Sequence, residues 1–496
     1  MEVIPSFSEF SSMAKQGNVI PVYREFLGDI ETPVSAYFKI SDKSFSYLLE
    51  SAEMGGEWGR YSFIGYRPYI VIKGYDNETH VERDGEVKVI KDIANPLDVV
   101  KELSRNFRPV TMEGLPPFKG GFVGYVNYDV MRKWERFPGL RAASPDLPEV
   151  LFCASRRMIV FDHYTYTIKV VAFAYITDDR DLRSIYDEAC HEIDTTIREL
   201  KNPLPDICSK NRPVISRIKS NFEKEAFEEA VRKAKEHIFA GDIIQTVLSQ
   251  RFSARFQGDD FEIYRHLRSI NPSPYMFYLN FGDVKLIGAS PEILVRLTDG
   301  KIEVRPIAGT RPRGKSMEAD KALERELISD PKERAEHIML VDLGRNDVGK
   351  VAQPGSVTVP RLMEIERYSH VMHIVSNVEG MIKPGIDSFD VFMSAFPAGT
   401  VSGAPKIRAM EIINELEGSP RGPYAGAVGY FAFNGNMDFC ITIRTIAVIK
   451  NRLFIQVGAG IVADSSPEGE YNETMKKGMA MFKAIEKVMA YDSFNR

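Results

Sequence analysis

The stretch Asp438–Val462, DFCITIRTIAVIKNRLFIQVGAGIV, is rich in β-branched and aromatic residues and contains one short run of strongly polar residues, Lys450–Arg452. Two such runs separated by a short polar segment are typical of neighbouring strands. The stretch therefore predicts the strands Asp438–Ile449 and Leu453–Val462, and it indicates a strand-rich C-terminal half.

Shorter runs of the same kind precede this pair. They predict strands at Tyr275–Asn280, Val284–Gly288 and Ile302–Pro306, and earlier within Phe122–Val130 and Arg157–Ala174. Helical patterns cover Asp178–Leu200, Phe227–Ile238, Asp330–Val341 and Ser466–Met489. Because the strands come in runs without regular βαβα alternation, we predict an α+β fold: a large, mostly antiparallel β-sheet sandwich flanked by helices.

Two helix starts carry capping signals. Asp330 followed by Pro331 is typical of an N-cap and first helical residue. Ser220-x-x-Glu223 has the spacing of a capping box and predicts the start of the helix that contains Phe227.

The length of 496 residues exceeds that of one ordinary domain, and 44% hydrophobic residues suffice for a sizeable core. Lys201–Pro213 contains three prolines and mixed charge. We predict it as the boundary between an N-terminal part, residues 1–213, and a C-terminal part, residues 214–496. The two parts are expected to share one sheet system.

Composition argues against several classes of protein. The net charge is −5 and no dense basic block is present, so nucleic-acid binding is not expected. No apolar run approaches the roughly 18 residues of a membrane helix, and MEVIPSFSEF lacks the features of a signal peptide. The four cysteines have no C-x-x-C spacing, which argues against a zinc knuckle or a disulfide framework. We expect a soluble, cytoplasmic protein without nucleic-acid or membrane partners.

Two predicted helices carry acidic faces. Glu333 and Glu336 share one face of the first, and Glu470, Glu473 and Lys477 share one face of the last. Such faces are either solvated or, if they meet across a cleft, able to hold a hard cation such as Mg²⁺. Spacing alone leaves both interpretations open.

Arg444 lies inside the otherwise apolar run Phe439–Ile446. A buried guanidinium needs an anionic partner, which is either an internal carboxylate or the carboxylate of a ligand. Gly458-Ala459-Gly460 interrupts the next predicted strand, a pattern that marks a bulge or the close approach of a ligand.

Two further segments could carry chemistry. His370 and His373 would lie on opposite faces of an extended segment, and each is either a core residue or a group that moves protons. The small-residue loop Pro397–Lys406 offers amides and hydroxyls to an anion but lacks the spacing of a nucleotide-binding loop.

Six ordered motifs together resemble the chorismate-utilising enzymes, and among them the large subunits of anthranilate synthases. The motifs are PIAGTRPRG (Pro306–Gly314), KERAEHIMLVDLGRND (Lys332–Asp347), RYSHVMHIVSNVEG (Arg367–Gly380), PAGTVSGAPK (Pro397–Lys406), RGPYAGAVGY (Arg421–Tyr430) and GAGIVADSSPEGEYNET (Gly458–Thr474). The resemblance implies an enzyme that converts chorismate and ammonia to anthranilate and pyruvate, the first committed step of tryptophan biosynthesis.

The resemblance also implies a Mg²⁺ cofactor. Glu336 and Glu473 would coordinate the ion, with Glu333 and Glu470 as neighbouring or water-mediated ligands. The ion would bind the ring carboxylate of chorismate.

Further roles follow from the same resemblance. Arg444 and Tyr424 are implied at the enolpyruvyl carboxylate, and Glu292 is implied as the general acid for the C4 hydroxyl. His373 is the implied active-site histidine, and His370 is interpreted as structural. The remaining implied contacts are Lys477, Thr400, Gly309, Thr310 and the backbone of Gly458, Ala459 and Gly460.

Relatives within the family differ in their nucleophile. Isochorismate and salicylate synthases carry a water-activating lysine at the position of Gln245, and aminodeoxychorismate synthases carry a lysine where this chain has Ala308. A glutamine side chain cannot act as a base, so the resemblance favours ammonia. Two alternatives stay open: an enzyme that stops at 2-amino-2-deoxyisochorismate, and a non-enzymatic protein that binds a chorismate-like ligand.

Ammonia needs a source. No cysteine lies between glycines as in the nucleophile elbow of a glutaminase. We therefore expect a separate glutamine amidotransferase subunit, component II, and a hetero-oligomer.

Leu48–Ser51 resembles the motif with which anthranilate synthases bind the inhibitor tryptophan. Glu50 would pair with its ammonium, Ser51 would hydrogen-bond, and the other wall would come from Pro274, Tyr275 and Met276. The resemblance implies feedback inhibition; the alternative is an ordinary strand of the sheet.

Overall fold

The computed structural model describes residues 2–40, 43–51, 57–135, 147–205, 213–368 and 371–491. Its helices are α1 (Phe7–Met13), α2 (Pro33–Lys39), α3 (Pro96–Ser104), α4 (Leu182–Lys201), α5 (Lys224–Phe239), α6 (Asp260–Ile270), α7 (Met317–Ser329), α8 (Pro331–Val351), α9 (Ser388–Ala395), α10 (Lys406–Glu417) and α11 (Pro467–Tyr491). Short 3₁₀ helices cover Glu57–Arg60, Tyr128–Lys133 and Gly399–Val401.

The strands of the first half are β1 (Val19–Leu27), β2 (Phe45–Glu50), β3 (Tyr61–Gly74), β4 (Glu78–Arg83), β5 (Glu86–Lys91), β6 (Gly121–Val126), β7 (Val150–Asp162), β8 (Thr167–Tyr175), β9 (Val214–Ile215), β10 (Lys219–Ser220) and β11 (Gln245–Gln257). Those of the second half are β12 (Tyr275–Phe281), β13 (Val284–Ser290), β14 (Ile293–Thr298), β15 (Lys301–Val304), β16 (Ile307–Pro312), β17 (Thr358–Arg367), β18 (Val371–Met381), β19 (Gly403–Ala404), β20 (Ala427–Ala432), β21 (Met437–Ile441), β22 (Thr445–Ile449) and β23 (Arg452–Ile461).

The strands form one curled antiparallel sheet with two arms that start at β7. One arm runs β7-β3-β2-β12-β13-β22-β23-β11. The other runs β7-β6-β20-β21-β14-β15-β18. The Tyr275 hydroxyl on the first arm donates to the Asp438 carboxylate on the second at 2.8 Å, so the arms face each other. The predicted α+β fold with a large antiparallel sheet is confirmed.

Strands from both predicted parts of the chain pair within this sheet. Glu50 of β2 lies opposite Met276 of β12, and Gly124 of β6 lies opposite Gly429 of β20. Residues 206–212, inside the predicted boundary, lie outside the described residues.

The stretch that predicts the fold differs from expectation at one point. The predicted strand Asp438–Ile449 is two strands, β21 and β22, which pair in different arms. The chain crosses between the arms at Thr442–Arg444, where Arg444 adopts φ 51°. Thr442 and Ile443 are good strand formers, so local propensity gave no signal of the break.

The two capping predictions had opposite outcomes. The Asp330 carboxylate accepts the amides of Lys332 and Glu333 at the start of α8, as predicted. The capping box at Ser220 was wrong, because Ser220 belongs to β10 and the helix begins at Lys224. The Ser220 hydroxyl donates instead to Gln250 of the neighbouring strand, at 2.9 Å.

No helix in the described part of the chain is long and apolar enough to cross a membrane. The three cysteines that the structure describes, Cys153, Cys190 and Cys440, are free thiols.

Candidate active site

Two neighbouring crossovers between the arms hold charged residues. One crossover joins β13 to β14 and carries Glu292; the other joins β21 to β22 and carries Arg444. The amide of Ile441 donates to the carbonyl of Glu292 at 3.0 Å, and the amide of Ala289 donates to the carbonyl of Arg444 at 3.2 Å. The sheet topology thus places next to each other two crossovers whose charged residues, Glu292 and Arg444, lie 152 positions apart in sequence.

Burial dominates the chemistry of Glu292. It raises the pKa of the carboxyl to about 7, against the opposing effects of the Thr400 hydroxyl and the Lys477 ammonium. The Thr400 hydroxyl is itself buried, and no described residue forms a hydrogen bond of ordinary geometry with it. A carboxyl with a pKa near 7 carries a proton for a good part of the time at neutral pH, as a general acid requires.

Arg444 makes no ion pair with any residue that the structure describes. Burial lowers the pKa of its guanidinium, and the Glu473 carboxylate and the Tyr424 hydroxyl only partly offset this effect. A partly buried cation in this state is stabilised by an incoming anion. Of the two interpretations of Arg444, the structure favours a ligand carboxylate.

Gly458 and Gly460 shape the floor of the site on β23. A Cβ atom at Gly458 would lie 2.5 Å from the Tyr424 hydroxyl, and one at Gly460 would lie 2.8 Å from Nε2 of Gln245. The two glycines therefore let both side chains lie directly against the strand. Ala459 points to the opposite face, where it is buried in a cluster with Phe227, so only its backbone can belong to the site.

Lys477 connects the last helix to this floor. Its ammonium donates to the carbonyl of Gly458 at 3.2 Å and pairs with Glu473, one turn earlier on α11, at 3.3 Å. Lys477 therefore lies between Glu473 and the glycine segment.

His373 lies on β18 opposite Thr310 of β16. Its Nδ1 is 2.9 Å from the carbonyl of Gly309 and 3.1 Å from the Thr310 hydroxyl. The carbonyl can only accept, so we assign the proton to Nδ1 and leave Nε2 as an acceptor. Burial lowers the pKa of His373, and nearby Arg444 lowers it further. His370 lies outside the described residues.

Gly309 makes the contact to His373 possible. It has φ +65° and lies at a bulge between Ala308 and Thr310, a conformation that favours glycine. A Cβ there would also lie 3.1 Å from a carboxylate oxygen of Glu333, so Gly309 places the histidine next to the acidic helix α8.

Acidic side chains from α8 and α11 lie near each other. Burial raises the pKa of Glu336, and nearby Glu333 and Glu470 raise it further. Burial also raises the pKa of Glu470. Carboxylate oxygens are the donors that Mg²⁺ prefers, and a cation here would relieve the repulsion between the acids. The chemistry of these residues therefore fits the implied ion.

The arrangement is looser than a preformed four-ligand site. In the described ranges, no group of three or more His, Cys, Asp or Glu side chains is placed to hold a metal. Glu333 is engaged by Arg311, whose Nη1 donates to it at 3.0 Å, while other nitrogens of the same guanidinium reach Glu326 and Asp330. Arg311 is a residue that sequence reasoning missed, although it lies in the motif PIAGTRPRG.

Gln245 is almost completely buried, with 5% of its surface exposed. Its Oε1 has no hydrogen-bond partner among the described atoms. Because its Nε2 lies against Gly460, a buried acceptor is available at the floor of the site.

A separate cavity of about 470 Å³ lies between the two arms. It is lined by all five residues of the predicted tryptophan site, Glu50, Ser51, Pro274, Tyr275 and Met276. The hydroxyl of Ser51 is buried there without a partner in the described structure. Pairing of β2 with β12 thus joins two segments that lie about 220 residues apart.

Glu50 and Met276 differ from expectation in this cavity. The Glu50 carboxylate accepts from the Tyr264 hydroxyl and forms a two-pronged ion pair with Arg268, both on α6. Met276 lies opposite Glu50 in the ladder, so both side chains point to the face covered by α6. The carboxylates on the cavity side are Asp438 and Glu303, which sequence reasoning missed.

Comparison with known proteins places the chain in a family. Residues 45–483 match the family described as chorismate binding enzyme. The chain is 47% identical to anthranilate synthase component 1 of Acetivibrio thermocellus, over 97% of this chain and 98% of the relative. It is 48% identical to that of Aquifex aeolicus, over 97% of each chain.

Solved structures agree with this placement. The crystal structure of anthranilate synthase component I from Streptococcus pneumoniae superposes with a TM-score of 0.75 at 37% identity, covering 92% of this chain and 98% of that one. The menaquinone-specific isochorismate synthase of Escherichia coli has a TM-score of 0.69 at 17% identity, with 96% and 98% covered, and shows the fold alone. The chain therefore belongs to the chorismate-binding enzymes. Within them, it belongs to the anthranilate synthase component 1 family.

Proposed function

We propose that this protein converts chorismate and ammonia to anthranilate, pyruvate and water. The observation that carries the choice of nucleophile is the buried Oε1 of Gln245, which has no hydrogen-bond partner among the residues that the structure describes. An acceptor without basicity can hold an N–H group of ammonia but cannot deprotonate water. Ala308, at the second position that distinguishes relatives, has no nucleophilic group.

In the first step the nitrogen bonds to C2, the ring double bonds shift, and the C4–O bond breaks. Glu292 gives its proton to the departing hydroxyl, which leaves as water; the new C2 ammonium then releases one proton to solvent, and the Glu292 carboxylate takes one up again. The product is 2-amino-2-deoxyisochorismate. The partly protonated state of Glu292 near neutral pH supports this role.

In the second step the C2–H bond breaks, the C3–O bond to the enolpyruvyl group breaks, and the ring becomes aromatic. Nε2 of neutral His373 takes the C2 proton in this proposal, because its Nδ1 is held at the carbonyl of Gly309. The released enolpyruvate becomes pyruvate by taking up a proton. Arg444 and Tyr424 hold the enolpyruvyl carboxylate, consistent with the absence of an ion pair at Arg444 among the described residues.

Glu336 and Glu473 are proposed to hold Mg²⁺, with Glu470 and Glu333 beside them. The bound ion supplies a positive charge at the ring carboxylate and withdraws electron density from the ring. Lys477 orients Glu473 through their contact at 3.3 Å.

Two further properties complete the proposal. A glutamine amidotransferase subunit supplies the ammonia; the name "component 1" of the relatives supports a second component. Tryptophan inhibits the enzyme by binding in the cavity between the arms, supported by its volume, by the Ser51 hydroxyl and by the Tyr275 ring.

The test is to incubate the purified chain with chorismate, MgCl₂ and an ammonium salt, and to separate the products by chromatography. Anthranilate and pyruvate in equal amounts are expected, and none without ammonium. Accumulation of 2-amino-2-deoxyisochorismate would replace the proposal by the truncated reaction. Isochorismate as main product, or binding of chorismate without turnover, would overturn it.

A further inference from the structure

A buried arginine, Arg421, lies behind the substrate site. Its Nε and Nη2 donate to the two carboxylate oxygens of Glu417, at the end of α10, at 2.9 and 2.6 Å. The side chains of Arg421 and Glu417 are 1% and 4% exposed, respectively. A two-pronged pair of this kind fixes the orientation of the guanidinium plane.

The other donors of Arg421 reach two more elements. Nη1 donates to the carbonyl of Val401 and Nη2 to the carbonyl of Val247, each at 2.7 Å. Val401 follows Thr400 directly, and Val247 lies two residues after Gln245 on β11. One guanidinium therefore fixes the backbone that carries two residues of the site.

Tyr424 is held by the same group. The guanidinium carbon lies 5.5 Å from the centre of the Tyr424 ring, within the range in which a cation is attracted to an aromatic face. The Asp129 carboxylate accepts the amides of Arg421 and Gly422 at 3.1 and 2.7 Å. The Tyr424 hydroxyl lies tightly against Gly458. Because the Tyr424 ring packs on the guanidinium, a small movement of Arg421 would shift this hydroxyl.

We propose that Arg421, oriented by Glu417, is a positioning residue that sets the places of Tyr424, Thr400 and Gln245. It offers almost no surface to a ligand and acts only through these neighbours. Lysine cannot replace it, because one ammonium lacks the planar set of donors that reaches Glu417, Val401 and Val247 together. The inference rests on the proposed function, in which Tyr424 contacts the enolpyruvyl carboxylate.

A double-mutant cycle tests the proposal on the full chain. The variants are Arg421→Lys, Tyr424→Phe and the double variant, with KM for chorismate and kcat measured at saturating ammonium and Mg²⁺. We expect each single variant to raise KM by roughly tenfold. We expect kcat to fall by a much smaller factor. The double variant should raise KM no further than the worse single variant, because both changes remove the same contact.

The control is Arg157→Lys. Arg157 is 2% exposed and pairs with Glu192 and Glu199 of α4, a helix without site residues. The Arg157→Lys variant should have a lower melting temperature than the parent and an unchanged KM. If Arg421→Lys fails to fold, Glu417→Gln, which retains an amide oxygen as acceptor, should raise KM in the same direction.

The outcomes separate the two proposals. The positioning role is overturned if the increase in KM of the double variant equals the product of the two single increases. It is also overturned if Arg421→Lys and Glu417→Gln lower the melting temperature and leave KM unchanged. In both cases the parent still makes anthranilate. A parent protein without anthranilate formation overturns the proposed function instead.

Discussion

Glu292 and His373 are acid–base groups whose pKa values burial shifts in opposite directions. The carboxyl pKa rises to about 7, so Glu292 is neutral for a good part of the time near pH 7, and the imidazole pKa falls, which favours the neutral form of His373. A neutral carboxyl can donate a proton and a neutral imidazole can accept one. The same physical cause, loss of water, thus prepares the donor and the acceptor of the proposed reaction.

Replacing Glu292 should remove the acid. Glu292→Gln is expected to lower kcat by about 10²-fold or more, and in the parent kcat should fall as pH rises through about 7. Rates are measured at a constant concentration of free ammonia, because this concentration itself rises with pH. Glu468→Gln, an exposed carboxylate paired with Lys224, is the control. A parent rate that is flat from pH 6 to 9 would contradict the assignment.

Stability should change in the same variant. A folded-state pKa above the unfolded value means that the folded protein binds more protons between about pH 4.5 and 7, so Glu292 lowers stability as pH rises through this window. Glu292→Gln should therefore gain melting temperature relative to the parent at pH 8 but not at pH 4.

Gln245 tests the nucleophile. Gln245→Lys should yield detectable isochorismate or salicylate, because burial favours the neutral amine, which can activate water. Gln245→Met fills a similar volume without an acceptor, so it should lower the ammonia-dependent rate without new products. The products of both reactions are identified by chromatography. Isochorismate from the parent, or no isochorismate or salicylate from Gln245→Lys, would contradict the role of Gln245 in selecting ammonia over water.

At the scale of elements, α8 and α11 bring the acidic faces together. Glu336→Ala and Glu473→Ala should abolish turnover. Glu336→Ala should also keep or raise the melting temperature, since repulsion and burial already raise the pKa of this carboxyl. The parent should gain melting temperature with added MgCl₂ in the absence of chorismate, and the variants should not.

Asp342→Ala is the matched control for the metal, because Asp342 is an exposed acid on the same helix, paired with Arg345. It should retain activity and the response to MgCl₂. Near-normal activity of Glu336→Ala or Glu473→Ala at limiting Mg²⁺ would remove these residues from the metal site.

Elements also show what the sequence could predict. The run Asp438–Val462 indicates strands because β-branched residues favour them, and Asp330 indicates a helix start because its cap is local. The break at Arg444 depends on which arm each strand joins. So does the direction of the Glu50 side chain, which points away from the cavity and toward α6. Such long-range pairing leaves no local pattern, so motif resemblance supplied the site residues that periodicity could not.

At the scale of the whole molecule, one crossover links the active site to the cavity between the arms. Pro291 and Ile293 line the cavity, and Glu292 between them enters the site. A ligand in the cavity that prefers one position of this crossover changes the position of the acid. Substrate and effector affinities must then be coupled reciprocally.

Tryptophan is expected to inhibit the parent through this link, and Ser51→Phe to relieve inhibition by filling the cavity beside Tyr275. The variant should need at least tenfold more tryptophan for half inhibition at fixed chorismate, a difference of about 1.4 kcal/mol in binding. Ser8→Phe, on the exposed face of α1, is the control and should respond like the parent. Chorismate should weaken tryptophan binding, measured by calorimetry, by the same factor by which tryptophan weakens chorismate binding. Equal sensitivity of parent and Ser51→Phe, or inhibition without reciprocal weakening, would show that the cavity is not the regulatory site.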